Sequence, residues 1–224
     1  MHPVRIFLLR HGQGEHNVAG NDYIPDAILT RTGEEQASSW AHHADPNKIL
    51  KDVELVLISP LRRALQTAFL ALENYDKARL VVCRHARELW FHEPVNTFSN
   101  EQELLLLCSK YKRGREIAEL PRERSYSTAK LSGTGSFAEA LATRHDTPSC
   151  EQQSVPSLVR ELRSRPEQVI CVVCHQGVIH ALTGGWAYNC DLLECEWNAD
   201  EKKTGPPLLR VLQAHSAPGG ARTS

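Results

Sequence analysis

Three short apolar runs, each cut off by a polar residue, constrain the fold of this chain more than anything else in it. Val4 to Leu9 stops at Arg10-His11-Gly12, Glu54 to Ser59 (ELVLIS) runs into Pro60, and Gln168 to Cys174 stops at His175-Gln176-Gly177. Runs of this length and character read as strands buried in a parallel sheet. In an open α/β sheet the ligand sits beyond the carboxyl ends of the strands. Arg10, His11, Ser59 and His175 are therefore expected at one rim, with Arg63 just beyond. Arg79–Cys83 reads as another short strand, and one near Leu208–Leu212 is expected to close the sheet.

Helical patterns separate these runs. Thr32 and Glu35 suggest a capping box, with Ala37, Trp40, Ala41 and Ala44 at helical spacing and Asp45-Pro46-Asn47 as a stop. Ser59-Pro60 has the form of a helix start, followed by a sheet-facing stripe of Leu61, Ala64, Leu65, Ala68 and Leu72. Arg62 and Arg63 fall in its first turn, where a helix N-terminus already favours anions. Further helices are expected over Glu101–Cys108, around Val155–Leu162 up to Pro166, and from His175 to Gly184. Ala19–Arg31 reads as a polar loop. Residues 84–136 are irregular, either a lid over the rim or a solvated insertion, with Ser132–Ser136 as a flexible joint. The expected plan is one domain over 1–213 and a disordered tail over 214–224.

Composition narrows the function. With 26 basic and 27 acidic side chains, a net charge of -1 gives no basic footprint for nucleic acid or acidic membranes. No stretch is long and apolar enough for a membrane span, and Met1-His2-Pro3 leads straight into the first strand without a secretory pattern. Seven scattered cysteines then suggest reduced thiols and a cytoplasmic setting. Cys171-Val172-Val173-Cys174-His175 spells a haem-attachment pattern. It is rejected because the run reads as a buried strand, in which the two cysteines point to opposite faces.

Two arginines and two histidines at one rim repel one another unless an anion lies between them. A phosphate dianion suits the forked guanidiniums, and an imidazole can attack phosphorus. LLRHGQGEHN, SPLRRALQTA and VVCHQGVIHAL resemble, in order, the three signature segments of the histidine phosphatase superfamily, in its phosphoglycerate mutase-like branch. The resemblance implies a three-layer α/β/α fold around a mostly parallel sheet. It makes His11 the nucleophile that becomes phosphohistidine. Arg10, Arg63 and His175 become the phosphate clamp, and Asn17 and Gln176 join them at the phosphate. It also selects Arg63 over Arg62, which is expected to be a solvated neighbour. The acid the family needs is matched best by Glu88 in Arg87-Glu88-Leu89, with Glu93 in reserve and Asp26 third. No metal or other cofactor is called for.

Gln13-Gly14 replaces the family's usual Glu-Ser pair, and the segment after Glu88 lacks the mutase's basic and tyrosine-bearing pattern. These departures favour a phosphomonoester hydrolase with a small phosphorylated substrate over a cofactor-dependent phosphoglycerate mutase. The basic side chains of Lys112–Arg124 keep the mutase in play as supports for a second anion. A catalytically silent phosphate-binding module is the third reading. His16 is a candidate substrate contact, His180 is expected to have no catalytic role, and Trp90 and Phe91 would shape the pocket or pack in the core. A dimer is one option for the chain's assembly.

Overall fold

β5 (Val169–Cys174) has no need of water anywhere along VICVVC, and it occupies the middle of the sheet. The computed structural model describes residues 5–42, 49–90, 92–118, 134–135, 148–198 and 207–218. β5 pairs in parallel with β1 (Arg5–Arg10) on one side and β2 (Leu55–Ile58) on the other, and β2 pairs in parallel with β3 (Arg79–Cys83). Three antiparallel strands extend the edges: β4 (Thr134–Gly135) beside β3, β6 (Leu192–Trp197) beside β1, and β7 (Leu209–His215) beside β6. The spatial order is β4-β3-β2-β5-β1-β6-β7. The register sets Arg10 opposite Cys174 and Ile58 opposite Val173, so the ends of β1, β2 and β5 lie level with one another.

Side chains alternate across the sheet into two apolar layers. Phe7, Leu9, Val56, Ile58, Cys171 and Val173 form one layer. Against it pack Trp40 of α2 (Arg31–His42) and Ala64, Leu65 and Ala68 of α3 (Arg62–Ala71). Ile6, Leu8, Leu55, Leu57, Ile170, Val172 and Cys174 form the other. They pack against Leu158 and Leu162 of α6 (Pro148–Ser164) and Val178, Ile179 and Leu182 of α7 (Gln176–Thr183). This is the three-layer α/β/α arrangement. Cys171 and Cys174 do face opposite layers, both fully buried, and burial pushes the Cys171 thiol up to about 12.

Several boundaries differ from the sequence reading. α2 is capped by Thr30, whose Oγ1 accepts the Gly33 N–H at 3.1 Å, and not by Thr32. Gly33 then occupies the third helical position, where a Cβ would sit 2.1 Å from the Gln13 carbonyl oxygen. α3 starts at Arg62 behind Leu61, because the Ser59 hydroxyl is engaged by His175. A short helix, α1 (Glu15–Ala19), precedes the polar loop. β6 was not anticipated, because the glutamates in LLECEW break its apolar run. β7 reaches His215, two residues into the expected tail.

Between β3 and β4 lie two short 3-10 turns, Arg84–Ala86 and Pro94–Asn96, then α4 (Glu101–Ser109) and α5 (Lys112–Ala118). Thr134 and Gly135 pair with β3, which removes them from the expected joint; Ser132, Gly133 and Ser136 lie outside the described residues. So do Ala44, the Asp45–Asn47 stop, Phe91, residues 119–124 and residues 219–224. Among the described residues, no helix is long and apolar enough to cross a membrane.

Candidate active site

β1 delivers Arg10 and His11 to the rim and then turns away. The His11 main chain is held on three sides. Its N–H donates to the Cys174 carbonyl at 3.1 Å, and its carbonyl accepts from the Cys190 N–H at 3.1 Å and the Asn189 side chain at 3.2 Å. Gly12 makes the turn possible, since a Cβ there would lie 2.6 Å from the Gly33 carbonyl oxygen. The Gly12 carbonyl accepts from His11 Nδ1 at 2.7 Å. A carbonyl can only accept, so Nδ1 carries the proton and Nε2 keeps its lone pair. Burial pushes the His11 pKa well below the usual imidazole value, and the charges of Arg63, His175 and Arg10 push it further.

His175 ends β5 with its ring centroid 5.1 Å from that of His11. Its Nε2 lies 2.7 Å from Ser59 Oγ, which also accepts the Leu61 N–H at 3.3 Å. The Ser59 hydroxyl thereby ties the His175 ring to the end of β2. Burial, followed by Arg63, also lowers the His175 pKa. His16, on α1, stands 5.7 Å from His11, and its pKa is lowered to about 3, chiefly by burial.

The two arginines are anchored at their far ends. Arg10 donates to the Ala187 carbonyl at 2.6 Å. Arg63 donates to the Val95 carbonyl at 2.8 Å and to Asn96 Oδ1 at 2.9 Å, which ties α3 to the Pro94–Asn96 turn. Burial lowers the Arg63 pKa to about 10, so it remains a cation at neutral pH. Arg10 Nε, Arg63 Nε, His16 Nδ1 and His175 Nδ1 are buried without a hydrogen-bond partner. Four unmatched buried nitrogens in one place have the chemistry of an oxyanion receptor.

Glu88 completes the group. It is 8% exposed, and its two oxygens accept the N–H groups of Leu89 at 2.8 Å and of Gly177 at 3.1 Å. Burial raises its pKa; the two N–H bonds and the nearby arginines oppose that rise without cancelling it. Arg10, His11, His16, Asn17, Arg63, Glu88, Trp90, Glu93, Asn96 and Gln176 share one cavity of about 320 Å³ with Asp22 and Val95. Asn17 accepts the Gly14 N–H, and Gln176 accepts the Ala187 N–H. Among the described residues, no three His, Cys, Asp or Glu side chains are grouped to hold a metal ion.

Some expectations fail here. Arg62 is no solvated neighbour: its Nε donates to the Asp26 carbonyl at 2.7 Å and pairs with the Asp26 carboxylate at 3.6 Å. Asp26 is buried as a brace, accepting the N–H groups of Arg62 and Ser99, and does not line the cavity. Lys112 pairs with Asp76 at 3.4 Å, while Arg113 caps the carbonyls of Leu72, Tyr75 and Ala78. Neither reaches the site. His180 is exposed, stacked near Trp186. Sequence reasoning missed Asn96 and Asp22; it placed Ser59 at the rim but assigned its hydroxyl to a helix cap. A polar residue closing a buried strand was the available signal for Ser59; nothing local marked Asn96.

Residues 6–102 match the family model described as the histidine phosphatase superfamily (branch 1). The chain is 28% identical over 210 residues to a phosphoglycerate mutase-like protein of Arabidopsis thaliana, covering 83% of this chain and 75% of that one. It is 39% identical over 75 residues to a broad-specificity phosphatase of Saccharomyces cerevisiae, 32% of this chain and 30% of that one. A structure from Escherichia coli, provisionally named an alpha-ribazole-5'-P phosphatase, superposes with a TM-score of 0.56 at 21% identity, covering 96% of this chain and 98% of that chain. That likeness speaks for the fold. The matched model takes in β1 with Arg10 and His11 and the SPLRRALQTA helix, so over residues 6–102 the chain is similar to the histidine phosphatase superfamily, branch 1.

Proposed function

We propose that the chain is a phosphomonoesterase that works through a phosphohistidine on His11. The observation that carries this reading is a neutral imidazole, pinned through Nδ1 to the Gly12 carbonyl, beside two buried arginines with free Nε donors. Arg10, Arg63 and His175 receive the phosphate oxygens and stabilise charge as it redistributes. His11 Nε2 attacks phosphorus in line, and the bond to the leaving alcohol oxygen breaks. Glu88, whose pKa burial raises, gives that oxygen its proton. The resulting carboxylate takes a proton from water, whose oxygen attacks the phosphohistidine and releases inorganic phosphate and neutral His11. Charge is supplied by guanidiniums held in place beforehand.

A phosphatase is favoured over a mutase because the described basic residues of the segment from Lys112 are committed elsewhere. The test is turnover of p-nitrophenyl phosphate by wild type and His11→Ala. Turnover that His11→Ala abolishes supports the proposal. Interconversion of 3- and 2-phosphoglycerate, dependent on a bisphosphate primer, would make it a mutase. Binding of phosphate without either activity would leave a silent module.

A further inference from the structure

The cavity has two electrostatic ends. Buried Arg10 and Arg63 lie at its base, whereas exposed Asp22 and half-buried Glu93 line the same space nearer solvent. Asp22 acts on Arg63 through charge, and Glu93 is bonded to the Asn96 amide. Both are held in position. The Asp22 carbonyl accepts the Val95 N–H at 3.0 Å, and the Pro94 carbonyl accepts the Asp26 N–H at 3.4 Å, which ties the loop to the Pro94–Asn96 turn. Glu93 Oε2 accepts from the Asn96 amide at 3.1 Å, and that same amide receives Arg63.

Trp90 stands beside them. Its backbone has φ 59°, a left-handed conformation that is costly for a bulky side chain and is kept where the surroundings demand it. Its ring edge lies 3.1 Å from where a Gly177 Cβ would be, against the N-terminus of α7, and the residue is still 49% exposed. An aromatic face beside two carboxylates is the chemistry that receives a cation. The same carboxylates repel a second negative charge.

We infer that Asp22, Glu93 and Trp90 form the leaving-group end of the site. They select phosphomonoesters whose alcohol carries a positive charge, such as amino-alcohol phosphates, and disfavour those carrying a carboxylate or second phosphate. This rests on the phosphomonoesterase reading, because it assigns the phosphate to the arginine end. It also predicts that a phosphoglycerate, with its carboxylate, binds poorly.

Three esters of matched size test it: phosphoethanolamine, 2-hydroxyethyl phosphate and phosphoglycolate, with cationic, neutral and anionic ends. Dissociation constants are measured by calorimetry on His11→Ala, and kcat/KM on wild type. The expected order is cationic, neutral, anionic, with roughly tenfold between the extremes at low salt and a narrower span at high salt. Asp22→Asn and Glu93→Gln should each narrow the span severalfold. Equal affinities, the reverse order, or an unchanged span in both variants would overturn the inference. Loss of all turnover in Glu93→Gln would also overturn it, by making Glu93 the proton donor. If wild type hydrolyses neither these three nor p-nitrophenyl phosphate, the proposed function falls, and the binding order on His11→Ala still decides this inference.

Discussion

His11 can act as a nucleophile only while its Nε2 lone pair is free, and its surroundings secure this twice. The Gly12 carbonyl fixes the tautomer, and burial beside Arg63 keeps the ring neutral well below pH 6.5. Glu88 is treated in the opposite sense: burial raises its pKa, although two N–H groups favour the carboxylate. Glu88→Gln, which keeps the shape and removes the transferable proton, should lower kcat on alkyl esters by ~10²–10⁴. The loss should be smaller on p-nitrophenyl phosphate, whose leaving group needs no proton; equal losses on both would argue against a proton-donor role. Ser59 acts through His175 and is a positioning residue. Ser59→Ala should reduce kcat about tenfold with a small change in KM, and Ser59→Thr should recover most of it. A Ser59→Ala enzyme with wild-type kinetics would contradict that positioning role.

At the scale of elements, the site depends on how closely α7 and α2 approach the loops they face. A Cβ at Gly177 would lie 2.4 Å from Glu88 Oε1, the end of a movable side chain. Gly177→Ala should therefore displace Glu88 and cut activity at least tenfold, with a melting temperature within a few degrees of wild type. At Gly33 the conflict is with backbone, 2.1 Å from the Gln13 carbonyl oxygen, which cannot swing away. Gly33→Ala should instead destabilise the fold by about 2 kcal/mol or more, read as a lower denaturation midpoint. The strands carrying this architecture were legible because IFLL, LVLI and VICVVC are unbroken apolar runs. β6 was not, since Glu194 and Glu196 mask a strand whose first glutamate pairs with Arg5 at 2.9 Å. The convergence of Arg10, His11 and His175 could be read from the strand ends. Choosing Arg63 and Glu88 needed the family resemblance. The role of Gln13 could not be read at all. It bonds Thr30 and Gln36 across the α2 start, contacts that exist only once the chain has folded.

The whole molecule carries a stability cost for assembling this site. His11, His16, His85 and His175 all have folded pKa values below 6.5, mainly through burial. Above pH 6.5 these groups are neutral in both states and contribute nothing. As pH falls below 6.5 the unfolded chain takes up protons that the native chain refuses, so stability declines, for His16 until about pH 3 and for His85 until about pH 4. Glu88 and Asp26, both raised, work the other way: their contribution is full at low pH and is lost as pH rises through their folded values. The four imidazoles begin to lose stability below pH 6.5, so the melting temperature should drop between pH 6.5 and 5. Inorganic phosphate should restore part of it by binding only the folded clamp. A melting temperature that stays flat or rises over that interval would mean the histidines are charged in the native state.

The account depends on a covalent bond between phosphorus and one particular nitrogen. Mixing the enzyme with a radiolabelled phosphomonoester, quenching into alkali within the first turnover and mapping the label should place phosphate on His11 Nε2, with no label retained in His11→Ala. Label on another residue, or full hydrolytic activity with no labelled protein at any quench time, would contradict it.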